Sequence, residues 1–146
     1  ACLVDRRGEL MAADSREIMR GFIPASPLVA LLGIEIGSLG DDEATLVLPY
    51  RPELTTIGEV VHGGAIASLA DTAVMAACWC YDDPPESLRG STVDLTVHYL
   101  APATASDLTA HARVLRRGRK ICHAEASVTD ATGTRVAHAV GTYQIG

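Results

Sequence analysis

One carboxylate and a pair of glycines are the candidates in this chain for binding and activating a ligand. His62-Gly63-Gly64 opens a stretch, residues 64–79, that is apolar or small on every side except at Asp71. Such a stretch predicts a helix enclosed by protein. A charged side chain in apolar surroundings costs several kcal/mol unless it is paired or neutralised, so Asp71 needs a reason to be there. At the helix entrance, free backbone N–H groups and the positive end of the helix dipole collect, and residues without Cβ let a ligand come close to them. Gly64, Ser68, Asp71, Met75 and Cys78 recur at spacings of three and four, which places them on one stripe.

The elements that must hold these groups can be read on either side of the helix. Asp14 to Glu17 has the pattern of a capping box and opens a short helix ending near Gly21. Ser26-Pro27 opens a second, which Gly33 closes. Residues 34–39 and 44–49 alternate around Gly40-Asp41-Asp42 and predict a hairpin, and residues 51–59 read as a loop delivering the chain to the central helix. After the proline-bearing connection 82–90, Val93, Leu95, Val97 and Tyr99 alternate with Thr92, Asp94, Thr96 and His98, so Thr92 falls on the polar face of its strand. Two more alternating runs follow, around residues 108–114 and 122–129, and a last strand covers 135–145. Half-polar strands belong to an antiparallel sheet with one face on a core, and the only element available to cover that face is the central helix. The small residues Ala65, Ala67, Ala70, Ala73, Ala76 and Ala77 let the two approach closely. The fold class is α+β: a curled antiparallel sheet of five or six strands wrapped around one long helix.

Composition narrows the partners. With 146 residues the chain suits one domain, read as 14–146, with residues 1–13 a segment of unassigned role that lacks the apolar core of a secretory signal. The 18 acidic and 12 basic residues give a formal charge of -6, which argues against nucleic acid and anionic membranes as partners. No apolar run approaches the roughly 20 residues of a membrane helix. Cys2, Cys78, Cys80 and Cys122 read as free thiols of a reducing, cytoplasmic compartment. His98, His111, His123 and His138 fall on different strands without a short-range ligand pair or a carboxylate cluster, so no metal is expected.

Several motifs in order, His62-Gly63-Gly64, Leu69-Ala70-Asp71-Thr72-Ala73, residues 93–102 (VDLTVHYLAP) and Gly118-Arg119, resemble the hotdog-fold acyl-CoA thioesterases. The nearest branch is the phenylacetate-pathway, PaaI-like group, related to 4-hydroxybenzoyl-CoA thioesterases, and the resemblance runs from about Pro27 to Ile145. It implies a homodimer joined edge to edge through the strand after the helix, often paired into a homotetramer, with active sites at the interface. It also implies that Gly63 donates its N–H to the thioester carbonyl while Asp71 of the opposite subunit attacks or activates water, with Thr92 helping to orient that water. Where relatives usually place Asn or Gln, six positions before the histidine, this chain has Thr56, whose hydroxyl has less reach and no NH2 group.

The chemistry agrees with the resemblance. Thioester hydrolysis needs donors aimed at the developing oxyanion and a base or nucleophile near the carbonyl carbon. Asp71 lies about two turns inside its own helix, roughly 10 Å from the glycines, too far for one site, so two helices from two subunits must combine. For Asp71 the competing role is a structural carboxylate capping backbone groups, and for Gly63 and Gly64 it is tight packing. His62 either touches substrate or orders the loop and caps the helix. Arg116, Arg117, Arg119 and Lys120 either clamp the phosphates of coenzyme A or form a solvated turn, with Arg89 a weaker candidate. Ser68 and Met75 lie on the Asp71 stripe, and Met75, Cys78 and Trp79 either line an acyl pocket or pack the core. The expected activity is hydrolysis of a small or medium acyl- or aryl-CoA to the free acid and CoA without any cofactor. The alternative is an acyl-CoA-binding or scaffold protein of the same fold with little catalysis. Hydratase chemistry is disfavoured because the paired Asp and His of such enzymes is absent from the helix-entry loop.

Overall fold

The computed structural model describes residues 14–82, 84 and 87–146. The segment 1–13, Cys2 included, lies outside the described residues. Three helices, α1 (Ser15–Ala25), α2 (Pro27–Leu32) and α3 (Gly63–Trp79), accompany eight strands: β1 (Glu35–Gly40), β2 (Glu43–Leu48), β3 (Thr55–Ile57), β4 (Val60–Val61), β5 (Gly90–Tyr99), β6 (Leu108–Arg117), β7 (Ile121–Asp130) and β8 (Arg135–Ile145). Six of the strands make one antiparallel sheet in the order β1-β2-β6-β7-β8-β5. The sheet curls around α3, which touches all six strands, and this is the hotdog arrangement that the resemblance implied.

Alternation produces the inner face. Leu46, Leu108, Ala110, Ala124, Ala126, Ala137 and Ala139 are fully buried against the helix, and Ala70, Ala73, Ala76 and Ala77 meet them from α3. Short side chains on both sides bring backbone close to backbone, where packing quality decides stability. Gly141 is a tight point between helix and sheet: a Cβ there would lie 3.0 Å from Val74 Cγ1 and 3.1 Å from Leu95 Cδ1.

Several expectations are corrected. The helix is not enclosed on every side: Gly64, Ala67, Ser68, Asp71, Thr72 and Met75 form a stripe that stays partly open, and Cys78, expected on it, is buried. The helix α1 runs past Gly21 to Ala25 because Met19 and Ile23, one turn apart, bury themselves in the core, although Pro24 in the last turn removes one i→i−4 bond. At its start Asp14 accepts from the Arg16 N–H at 3.0 Å, while the Glu17 carboxylate lies 3.6 Å from Arg20. The expected loop 51–59 carries a 3-10 turn (Pro52–Leu54) and the small β3–β4 hairpin.

Two one-residue bulges change faces in a way that periodicity cannot foresee. Between Thr92 and Asp94 the β5–β8 register slips by one residue, so Thr92 stands opposite the buried Tyr143, on the helix side, while Asp94 stands opposite Thr142 on the outside. Between Val114 and Arg116 the β6–β7 register slips likewise, which sets Arg117 opposite the buried Cys122. The bulged residues Val93 and Leu115 are left 58% and 51% exposed.

The contact at Gly141 yields a test. Gly141→Ala should lower stability by about 1–3 kcal/mol, the usual cost of overpacking a tight core, read by urea unfolding followed by circular dichroism.

Candidate active site

The entrance of α3 is built by its own neighbours. His62 is the N-cap, and its Nδ1 accepts from the Gly64 N–H at 2.8 Å. The His62 carbonyl accepts from the N–H groups of Ala65 and Ile66 at 2.9 and 3.2 Å. Among the described residues, Gly63 keeps the one N–H of this first turn that has no protein acceptor. Both glycines have a packing reason as well. A Cβ on Gly64 would come within 3.0 Å of His62 Nδ1, and one on Gly63 would come within 3.3 Å of the Tyr99 ring. The Tyr99 hydroxyl donates to the Gly63 carbonyl at 2.8 Å. Beside this entrance lies an open depression of about 430 Å³, lined by Thr56, Gly63, Ile66, Tyr99 and apolar residues of β4 and the segment after β5. Thr56 is exposed there, carried to the helix entrance by the β3–β4 hairpin.

Asp71 sits two turns further along, half-buried on the open stripe. Its Oδ1 accepts from the Thr92 hydroxyl at 2.7 Å. The bulge in β5 makes this bond available, because regular pleating would turn Thr92 outward. The other stripe hydroxyls are spent on the helix itself: Ser68 donates to the Gly64 carbonyl at 2.9 Å and Thr72 to the Ser68 carbonyl at 2.7 Å. Met75 is half-buried one turn beyond Asp71. Tyr143, opposite Thr92, is buried, and burial pushes its phenol up from the ordinary value, opposed by a hydrogen bond with Trp79. It therefore remains a neutral hydroxyl. The structure thus gathers Gly63, Gly64, His62 and Thr56 at one point of the chain and Asp71, Thr92, Ser68 and Met75 at another.

The basic turn forms a third group. Arg117, Arg119 and Lys120, with Tyr81, Gly118, Ile145 and Gly146, line an open depression of about 410 Å³ at the far end of α3. Turned inward by its bulge, Arg117 donates twice to Asp42, once to the Cys78 carbonyl at 2.9 Å, and stacks 4.0 Å over the Tyr81 ring. Its side chain is 22% exposed, and it ties the β1–β2 turn to the end of α3. Arg116, Arg119 and Lys120 face solvent, and so does Arg89. The thiols of Cys78 and Cys122 are hydrogen-bonded in the core beside this latch, which together with burial raises the Cys78 thiol. Burial pushes the Cys80 thiol up to about 11. Among the described residues no cluster of His, Cys, Asp or Glu could hold a metal ion. Nor is any helix among them long and apolar enough to cross a membrane.

Tyr99 is the contact that sequence reasoning missed. Its place in the alternation of β5 put it on the helix side, but nothing in the spacing showed that the strand would end over Gly63.

A sheet curled around one helix, with a glycine-entered N-terminus and a carboxylate on its uncovered stripe, is the build of a hotdog-fold thioester hydrolase. The chain belongs to the thioesterase superfamily, whose family model matches residues 58–137. A Halobacterium salinarum protein provisionally named an esterase is 34% identical over 143 residues, covering 92% of this chain and 94% of its own. The medium/long-chain acyl-CoA thioesterase YigI of Escherichia coli is 28% identical over 138 residues, covering 86% of this chain and 89% of its own. Among solved structures, the PaaI protein of the E. coli phenylacetic acid degradation operon has the same fold, with a TM-score of 0.79 at 22% identity over 92% of this chain and 96% of that one.

Two sets of substitutions test the local assignments. His62→Ala should lower stability by about 1 kcal/mol, with His62→Asn, itself a good cap, restoring most of it. A loss of turnover that Asn does not restore would add a substrate contact to the cap. Arg117→Ala should cost about 2 kcal/mol in urea unfolding for its lost ionic and backbone bonds, whereas Arg119→Ala and Lys120→Ala should stay within about 0.5 kcal/mol of wild type.

Proposed function

We propose that the chain hydrolyses a small or medium acyl- or aryl-CoA to the free acid and CoA, in a homodimer that joins two β5 strands edge to edge. The observation that carries the reading is the Thr92–Asp71 hydrogen bond on the uncovered stripe of α3, two turns from the unpaired Gly63 N–H. The strand β5 is a sheet edge of ten residues without proline or lysine, a bare row of backbone donors and acceptors of the kind that pairs with another strand. Antiparallel pairing with a copy of itself, centred near Leu95 and Thr96, sets Thr92 opposite the partner's Tyr99. Thr92 marks the place of Asp71 along the strand and Tyr99 the place of Gly63, so this pairing brings each Asp71 to the other subunit's helix entrance. The roughly 12 Å that separates them within one helix is thereby bridged.

In that arrangement the Gly63 N–H, backed by the helix dipole, polarises the thioester carbonyl and stabilises its oxyanion. The Thr56 hydroxyl is a second donor beside it. Asp71, held through Oδ1 by Thr92, presents its other oxygen to a water or to the carbonyl carbon, acting as general base or as nucleophile. Thr92 holds the carboxylate and, with it, the water. The acyl group enters the seam bordered by Met75 and Ser68, with His62 and Gly64 shaping the entrance. Exposed Arg119 and Lys120 serve the CoA phosphates, while Arg117 holds the rim on which they stand. No cofactor takes part. The name of YigI, a medium/long-chain acyl-CoA thioesterase, supports an acyl-CoA thioester as the substrate class.

Turnover of an acyl-CoA panel by wild type and Asp71→Asn tests the mechanism. A loss of at least about 100-fold in kcat is expected, the range for removing a general base, with an unchanged elution volume in size-exclusion chromatography. Equal turnover in a folded dimer would sink it.

A further inference from the structure

We propose that Tyr99 is a positioning residue, whose hydroxyl holds the first residue of α3 so that the Gly63 N–H stays aimed; the proposal rests on the reading that this N–H binds the thioester carbonyl. The start of α3 has two consecutive glycines, the residues with the greatest backbone freedom, at a helix end, where frayed turns are common. An oxyanion donor works by being aligned before the charge develops. Something must therefore remove the freedom that the glycines bring.

Two side chains brace the glycine pair. From its own chain neighbour, His62 Nδ1 holds the Gly64 N–H. From across the fold, Tyr99 reaches over with its hydroxyl on the Gly63 carbonyl at 2.8 Å and its ring where a Cβ of residue 63 would be 3.3 Å away. The second brace exists because β5 ends over the helix entrance, with Leu95, Val97 and Tyr99 all on the helix side. A purely stabilising role suits this hydroxyl poorly. Tyr99 is 53% exposed, so its bond competes with water, and the carbonyl it meets is already an acceptor within the helix. Its value lies in where it acts. Because the ring also walls the depression beside Gly63, ring and hydroxyl have separable effects.

Tyr99→Phe removes the hydroxyl and keeps the wall. Expected are an unchanged size-exclusion profile, a kcat about tenfold lower with KM within about twofold, and backbone amide exchange about fivefold faster in residues 64–67, the worth of one ordinary hydrogen bond. Tyr99→Leu, which also shortens the wall, should raise KM in addition. Unchanged exchange in Tyr99→Phe overturns the brace. Faster exchange with unchanged kcat overturns its catalytic purpose. Full turnover in Asp71→Asn, by contrast, brings down the two-group site on which the proposal rests, and does so independently of anything seen at Tyr99.

Discussion

The close approach of α3 to its sheet is the constraint on which the structure depends. Alanines 70, 73, 76 and 77 on the helix meet alanines 110, 112, 124, 126, 137 and 139 on the strands, and a methyl group at Gly141 would crowd Val74 and Leu95. Such a layer buries little apolar area per residue. It gains instead from dense packing, where many atom pairs lie near their best separation. The same closeness leaves no space for functional groups between helix and sheet. They collect where the sheet does not reach: at the helix entrance, along the uncovered stripe and at the far rim.

Chain-order reading recovered much of this because the relevant signals are local. The helix 63–79 announces itself by small and apolar residues with one charge, and the sheet strands announce themselves by strict alternation. Pro27 in the first turn and the left-handed Gly33 bound α2 as expected, since these are properties of a few adjacent residues, although Ser26 at the N-cap makes no side-chain capping bond. The distance along one helix between Asp71 and the glycines, which motivates a site shared by two subunits, follows from helix rise alone.

What stayed hidden depends on registers and distant contacts. The alternation in 92–99 puts Thr92 beside Asp94 on one face, and only pairing with β8 reveals the extra residue that turns Thr92 to Asp71. Arg117 presents the same case. A run of basic residues in a turn suggests a solvated or phosphate-binding patch, whereas a bulge at Leu115 directs one of them inward to Asp42 and the end of α3. The short β3–β4 hairpin escaped because two- and three-residue strands carry too little pattern to be told from loop. The glycines of the entrance were legible as special, but their intramolecular reasons, the His62 ring and the Tyr99 ring, come from side chains whose directions no spacing gives.

The bulge at Val93 has a further consequence, for how this segment can vary. Val93 is exposed in the single chain and stands outside the core between helix and sheet, so that core does not select its side chain. Its presence as a spacer is another matter. Deleting that one codon would restore regular pleating and reverse the orientation of everything before it on the strand, while leaving Leu95, Val97 and Tyr99 in place. Position 93 thus matters to the placing of Thr92 through its presence in the chain, not through its side chain. Such a deletion would turn Thr92 away from Asp71 while leaving the hydrophobic pattern of the rest of the strand intact.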